Sequence, residues 1–402
     1  MTLRSVLLPV VLWGLALAAV RLVVIPPEVC SMIGASEARA SAALAGQWLV
    51  DNQLPDGSYV YEYNAADDAL VGGYNEVRHA GVTMSMYQVA GRLQDEEALQ
   101  AADRGTEWMI DHLASHDDWR ALSDDPTAKV GASALMTIAL GERRLLTGDT
   151  IYDDVLRELG NYLVFMQRED GGFHIKWFLD EERYDLENTS LYYPGEALWA
   201  LAMLREAFPD EGWEEAAVAA ADFITLRRDE VEGVKFPPLN DHWAAYGLAE
   251  MVDLPLADHH VDYARRLAGR FSFLLRVEAQ KGADSPFEFV RGEDRRTAAV
   301  GTWVEGITAL WRIAAVDDRM ADQRDDIRDR AACGADLLAD RQVGQDDLGD
   351  YSDEGLALGA WFGAGSTRMD DQQHAISGLI YTADALEGRE QREPDAAAVS
   401  AP

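Results

Sequence analysis

"QLPDGSY" (Gln53–Tyr59) and "QREDGGF" (Gln167–Phe173) share one pattern: Gln, three residues, Gly, one residue, aromatic. They begin 114 residues apart, two steps of 57. A period of that size fits one helical hairpin plus a long loop. Weaker echoes of the same phase stand in "MIDHLASHDDW" near 110, "FITLRRDEVEG" near 224, "LLRVEAQKGAD" near 278 and "LLADRQVGQDD" near 340. Each ends a helix with a charged stripe and opens a loop, so six such helices are predicted.

Every loop then leads into a second helix. These read "HAGVTMSMYQVAG", "VGASALMTIALG", "PGEALWALAMLREAF", "HWAAYGLAEMV", "VEGITALWRIA" and "HAISGLIYTADAL". They are apolar nearly all round, as helices buried on both sides must be. Strand signals are scarce throughout. Six alternating hairpins close most simply into a double ring, so the pattern predicts an all-α chain, an (α/α)6 toroid in one domain over 36–388, with residues 389–402 as a disordered tail lacking apolar periodicity.

The two Gln-Gly-aromatic stretches resemble the QW motif of terpenoid-cyclase toroids, with Tyr59 and Phe173 where Trp would stand. More broadly, the hairpin pattern resembles the six-hairpin glycosidases, polysaccharide lyases and sugar epimerases. That resemblance implies an active site at the N-terminal ends of the inner helices and a glycan as substrate. Locally, Gly57 and Gly171 supply turn conformations, and the aromatic is expected to fold back onto the helix it follows.

Composition narrows the partners. Against 35 Lys+Arg stand 71 Asp+Glu, a net charge of −36, and Lys occurs only at 129, 176, 235 and 281. Such a surface repels nucleic acid and is the composition expected of a protein bathed in concentrated salt. Acidic clusters are therefore read as solvated surface, "DDIRD" (Asp325–Asp329) included. Cys30 and Cys333 make neither a disulfide framework nor a zinc knuckle, and leave the redox compartment undetermined. "VLLPVVLWGLALAAVRLVVI" (Val6–Ile25) is long enough to span a bilayer. Residues 1–30 are expected to be a hydrophobic helix acting as signal-anchor or signal peptide, with the body membrane-tethered outside the cytoplasm or secreted.

Aligned by their starts, the inner helices place His79, Gly131 (with Lys129 before it), Glu196, His242, Glu305 and His374 in one phase. Three of the chain's eight histidines fall there. A carboxylate in a first helical turn can simply complement the dipole, but cations sit poorly at an N-terminus, so three His point to chemistry. Six helix N-termini at one end of a cavity attract anions, and Arg78, Arg368 and Lys176 are expected to make that throat welcome an acidic glycan. Aromatic faces for sugar stacking are offered by Tyr192, Tyr193, Trp243, Trp303 and Trp361 beside Phe362, and hydroxyl partners by Asn75, Asn240, Asp241 and Gln373. Two loops, 172–191 and 344–371, are long enough to act as lids.

Three functions compete. Glycoside hydrolysis needs two carboxylates across the bond, and Glu196 with Glu305 is the expected pair. A uronate lyase or sugar epimerase would use His79, His242 and His374, with Arg78 and Tyr192 or Tyr193. A non-catalytic glycan-binding toroid would need the aromatics but no titratable ring. No cofactor is expected, and without HxxxH or HExxH spacing no metal either.

Overall fold

The computed structural model describes residues 3–21, 27–234, 239–281, 292 and 294–389. Most of the expected tail, 390–402, lies outside the described residues. The hairpins are built as the period predicts. Outer helices α2 (Ala35–Asp51), α4 (Glu96–Asp111), α6 (Asp153–Met166) and α8 (Trp213–Asp222, continued as a π turn over Phe223–Arg227) each precede an inner helix. The corresponding inner helices are α3 (Glu76–Leu93), α5 (Val130–Thr147), α7 (Tyr193–Ala207) and α10 (His242–Glu250), with a one-turn α9 (Arg228–Val231) before the last. Two further pairs follow, α11 (Asp258–Ala279) with α12 (Thr297–Val316), and α13 (Arg324–Asp340) with α14 (Met369–Leu386).

Consecutive inner helices pack side by side, and α14 returns against α3 and α2 to close the ring. Burial follows the sequence contrast. From Glu196 to Leu204 every residue of α7 is buried, whereas α4 hides only the stripe Ala98, Ala101, Ala102, Gly105, Thr106 and Met109. An apolar surface on all sides has no stable place except between two layers, so these sequences sort themselves into rings.

The repeated motif is a tie between neighbouring outer helices. Gln53 Nε2 donates to the Gly57 carbonyl at 3.1 Å and to Ala101 of α4 at 2.9 Å; Gln167 repeats this with Gly171 at 3.2 Å and Ala216 of α8 at 3.0 Å. Gly57 and Gly171 both have φ +87°, and a Cβ on either would collide with a carbonyl of the next outer helix, Arg104 or Ala219. The aromatic differs from expectation. Tyr59 instead reaches the inner helix α3, its hydroxyl 3.3 Å from Thr83 Oγ1 and its ring 5.2 Å from that of His79.

Other expectations are corrected. Eight short strands occur among the described residues, all in the loops that lead to inner helices. β1 (Glu62–Asn64) lies between β2 (Ala69–Val71) and β8 (Ser366–Arg368). A five-stranded sheet runs in order through β3 (Leu113–His116), β4 (Trp119–Asp124), β5 (Thr127–Lys129), β6 (Lys176–Phe178) and β7 (Arg183–Tyr184). Pieces this short carry too little periodicity to be seen in sequence. They also pin the two loops expected as lids, since 172–191 holds β6 and β7, and 344–371 holds β8.

At the N-terminus α1 spans Leu3–Ala19, with Leu8, Leu12, Trp13 and Leu17 exposed. Residues 22–25 of the expected spanning segment lie outside the described residues. Among the described residues no helix is long and apolar enough to cross a membrane. Cys30 and Cys333 form a disulfide between the segment after α1 and α13, a pairing their sequence separation of 303 hid. Glu28 bonds Arg330, and Val29 N–H donates to Ala279 O at 2.8 Å, so this segment is laced along α11 and α13.

Candidate active site

A cavity of about 660 Å³ opens between the N-terminal ends of the inner helices. Asn75, Arg78, Tyr192, Tyr193, Glu196 and His242 contribute to its wall, as do Trp243, Trp303, Gln373 and His374. With Asn240, eleven of the residues expected at a site are thus brought together. Each arrives by local rules: Asn75 caps α3 by accepting from Arg78 N–H at 3.0 Å, and Pro194 starts α7 so that Glu196 sits in its first turn.

Gly131, the one member of the phase without a functional group, has a steric role. A Cβ there would overlap the Glu196 carboxylate and the Tyr193 ring. Its absence gives both their room. Glu196 is 3 % exposed, its Oε2 has no hydrogen-bond partner, and burial, aided by the Asp241 charge, pushes its pKa up to about 8. At neutral pH it is a carboxylic acid facing the cavity.

The histidines are sorted by what their ring nitrogens meet. His242 is buried with neither nitrogen hydrogen-bonded, and burial, with His374 adding repulsion, holds its pKa well below the usual imidazole range. His374 lies next to it, ring centroids 5.2 Å apart and nearly perpendicular. Burial would lower His374 too, but Glu305 overcomes it through its charge and a 2.7 Å bond to Nδ1, and the pKa rises. One imidazole is thus pushed toward the neutral form and its neighbour toward the charged one, the arrangement of a base beside an acid.

Glu305 itself is not at the mouth. α12 begins at Thr297, a turn and more before the start expected near Val304, so Glu305 lies deeper, with no exposure. It is the floor under His374, also receiving the Tyr246 hydroxyl at 3.4 Å and lying 3.8 Å from His242 Nε2. Expected as half of a hydrolytic pair across the cavity with Glu196, it does not line the cavity. The donor atoms of His242, Glu305 and His374 lie within 4.8 Å of one another, close enough for a metal ion despite the absence of a sequence motif.

Five further residues are displaced from the roles expected of them. His79 is fully buried against α4: Nδ1 lies 2.6 Å from the Tyr74 hydroxyl, Nε2 2.8 Å from Gly105 O, and its ring 4.1 Å from that of Trp108. It faces outward because the fourth residue of α3 turns to the outer ring. Asp241 caps α10 at Ala244 N–H, 3.1 Å, and holds buried Arg228 at 2.5 Å instead of a sugar hydroxyl. Trp361 is buried and donates to Leu338 O at 2.7 Å. Arg368 is spent on Asp370, and Lys176 on Asp185 at 3.4 Å.

Sequence reasoning missed the outer helix in the wall. Beside the nine-residue α10, α11 contributes Arg270, Leu274, Val277 and Glu278, and Lys281 follows it. Nothing in the period marks an outer helix as lining. Asp370 was missed as well, though "MDDQQH" shows acids one turn before His374. Burial would raise the Asp370 pKa, but Arg368 and Arg78, the latter at 3.0 Å, hold it below the usual carboxylate value.

No family model matches the sequence, and no curated protein does. Solved structures do. A cellobiose 2-epimerase from Spirochaeta thermophila superposes with a TM-score of 0.61 at 13% identity, over 88% of this chain and 98% of that one. This is the six-hairpin glycosidase-like fold. An unsaturated glucuronyl hydrolase specific for heparin gives 0.62 at 13% identity (88% and 99% covered), and a D-mannose isomerase 0.56 at 12% (86% and 97%). At these identities the likeness is one of fold.

Proposed function

We propose that this chain is a carbohydrate-active enzyme that moves a proton at the reducing end of a sugar, as an aldose–ketose isomerase or 2-epimerase does. The observation that carries it is the pair His242 and His374: adjacent, cavity-facing and with pKa values driven in opposite directions by burial and by Glu305. In an open-chain aldose, neutral His242 takes the C2 proton while charged His374 gives its proton to the carbonyl oxygen, leaving an enediol. Returning a proton to C1 while the C2 hydroxyl gives up its own yields the ketose; returning it to the other face of C2 while the C1 hydroxyl gives its proton back to His374 yields the epimer. A carbon held between two imidazoles needs about 3 to 3.5 Å to each reacting nitrogen. With centroids 5.2 Å apart, both rings are within reach of one sugar.

Trp243, Trp303, Tyr192 and Tyr193 suit stacking on a pyranose, and Asn75, Asn240 and Gln373 suit its hydroxyls. Several matched folds belong to enzymes named for sugar epimerisation or isomerisation, which is consistent with this reading. The full-length protein, assayed in molar salt against a panel of aldoses, should yield ketose or epimer by chromatography. Products of glycosidic cleavage alone would overturn the proposal.

A second reading, glycoside hydrolysis, is favoured by a different pair. Glu196, protonated at neutral pH, and Asp370, held ionised, both line the cavity and have the protonation states of general acid and base. Glu196→Gln would then abolish cleavage of an oligosaccharide. Under the proton-transfer reading the same variant leaves the His242–His374 chemistry in place.

The exported, membrane-tethered placement belongs to the same proposal. It is supported by the exposed apolar helix α1 and by the Cys30–Cys333 disulfide, a bond favoured in oxidising compartments. The −36 charge supports a high-salt setting.

A further inference from the structure

The cations expected to welcome an acidic sugar are all otherwise engaged: Arg78 with Asp370, Arg368 with Asp370, Lys176 with Asp185. Lys281, at the cavity wall, is held by Glu278 at 2.8 Å. In a chain with twice as many acids as bases, this is the usual fate of an arginine or lysine. Arg270 is different. It lines the cavity from α11, has no acid partner among the described residues, and its Nε is shut off from solvent without a hydrogen-bond acceptor.

A guanidinium N–H buried without an acceptor is costly, and the cost is relieved by an acceptor brought in from the cavity. Arg295 stands on the same wall, its backbone N–H fixed on Glu278 Oε1 at 2.9 Å, with no acid partner for its side chain among the described residues. The nearby carboxylates do not cancel these charges. Glu278 is neutralised by Lys281 and by Arg341 at 2.9 Å, and Asp370 by two arginines. Glu196 is held as the neutral acid. The cavity is therefore a positive spot inside a strongly negative molecule.

We infer that Arg270, assisted by Arg295, is an anion subsite that selects sugars bearing a carboxylate or phosphate group. This rests on the reading of the cavity as a sugar site and adds the class of sugar. A planar guanidinium meets a carboxylate or phosphate with paired N–H bonds, which a neutral hydroxymethyl group cannot reproduce. The cavity would orient such a substrate by its anionic group on α11, with the remainder directed to the inner-helix end where His242 and His374 stand.

Calorimetric titration of the full-length protein with glucuronate, glucose 6-phosphate and glucose tests this. Charge-assisted bonds are worth enough for glucuronate or glucose 6-phosphate to bind about tenfold or more tightly than glucose. Which of the two binds better distinguishes a carboxylate from a phosphate site. R270Q should erase that preference, R270K should restore part of it, and R266Q should leave it intact, since Arg266 on the same helix contacts the Tyr263 ring and does not line the cavity. Equal binding of charged and neutral sugars, or a preference that survives R270Q, overturns the anion subsite while leaving the sugar site standing. Binding of none of the three overturns both.

Discussion

His79 and His374 sit near the N-terminal ends of neighbouring inner helices, α3 and α14, and their sequence contexts, "RHAG" and "QHAI", are alike. Both are almost fully enclosed. Yet His79 has both ring nitrogens satisfied by Tyr74 and Gly105 and a Trp108 face against it, while His374 faces a cavity and leans on a buried carboxylate. Burial alone therefore does not separate a packing histidine from a reactive one. The separation is made by the partners: polar but uncharged ones leave burial to depress His79 to about 3, whereas a carboxylate partner reverses the sign in His374.

The largest expected effect strikes the reactive side. His242→Gln or His374→Gln should reduce turnover by about 10²- to 10⁴-fold, the usual worth of a positioned acid or base, with the circular dichroism spectrum and Tm of the folded protein retained. Loss of fold in place of turnover would put these residues in the same class as His79. Conversely, His79→Ala should cost about 3 kcal/mol of stability in chemical denaturation, from the cavity it leaves and the two bonds it breaks. Turnover per folded molecule should not change.

Glu305→Gln sharpens the contrast. It removes the charge that raises His374 but keeps a group of the same shape, so His374 should lose its proton at lower pH. The alkaline limb of the rate profile should move to lower pH, with turnover at neutral pH down about tenfold if the limb moves by about one unit. An unmoved limb would mean that another group sets it.

The smallest effect is a pH dependence of stability. His79 is held below its unfolded value, so between about 6.5 and 3 the unfolded chain takes up a proton that the folded one refuses. Its contribution is complete above pH 6.5 and is lost as the pH falls, by at most about 1.4 kcal/mol per unit. His242 acts with the same sign, and Glu196, raised to about 8, with the opposite sign, its contribution being lost as the pH rises. The difference between the wild type and His79→Gln isolates the His79 share: denaturation curves of the variant should weaken less on acidification.

The ring was legible in sequence because a 57-residue period and all-round apolar helices leave few other ways to bury surface. The phase of the inner helices was legible too, but not their starts: α12 begins at Thr297, which moved Glu305 from the mouth to the floor. Direction was not legible. One position of the same phase turns outward at His79 and inward at Glu196, since helix rotation is set by packing against Trp108 or clearance over Gly131, partners distant in the chain. The pairing of Cys30 with Cys333 and the part played by α11 were hidden for the same reason.

In the proposed reaction His242 takes a proton from the sugar's C2 while His374 protonates the carbonyl oxygen. The direct measurement is proton NMR of an aldose substrate, chosen from the panel and incubated with the protein in D2O and molar salt, following the C2–H signal. The account predicts that this signal disappears with wild type and with Glu196→Gln, and persists with His242→Gln and His374→Gln. A C2–H signal that persists with wild type while a glycosidic bond is cleaved, and cleavage that stops in Glu196→Gln, would contradict it.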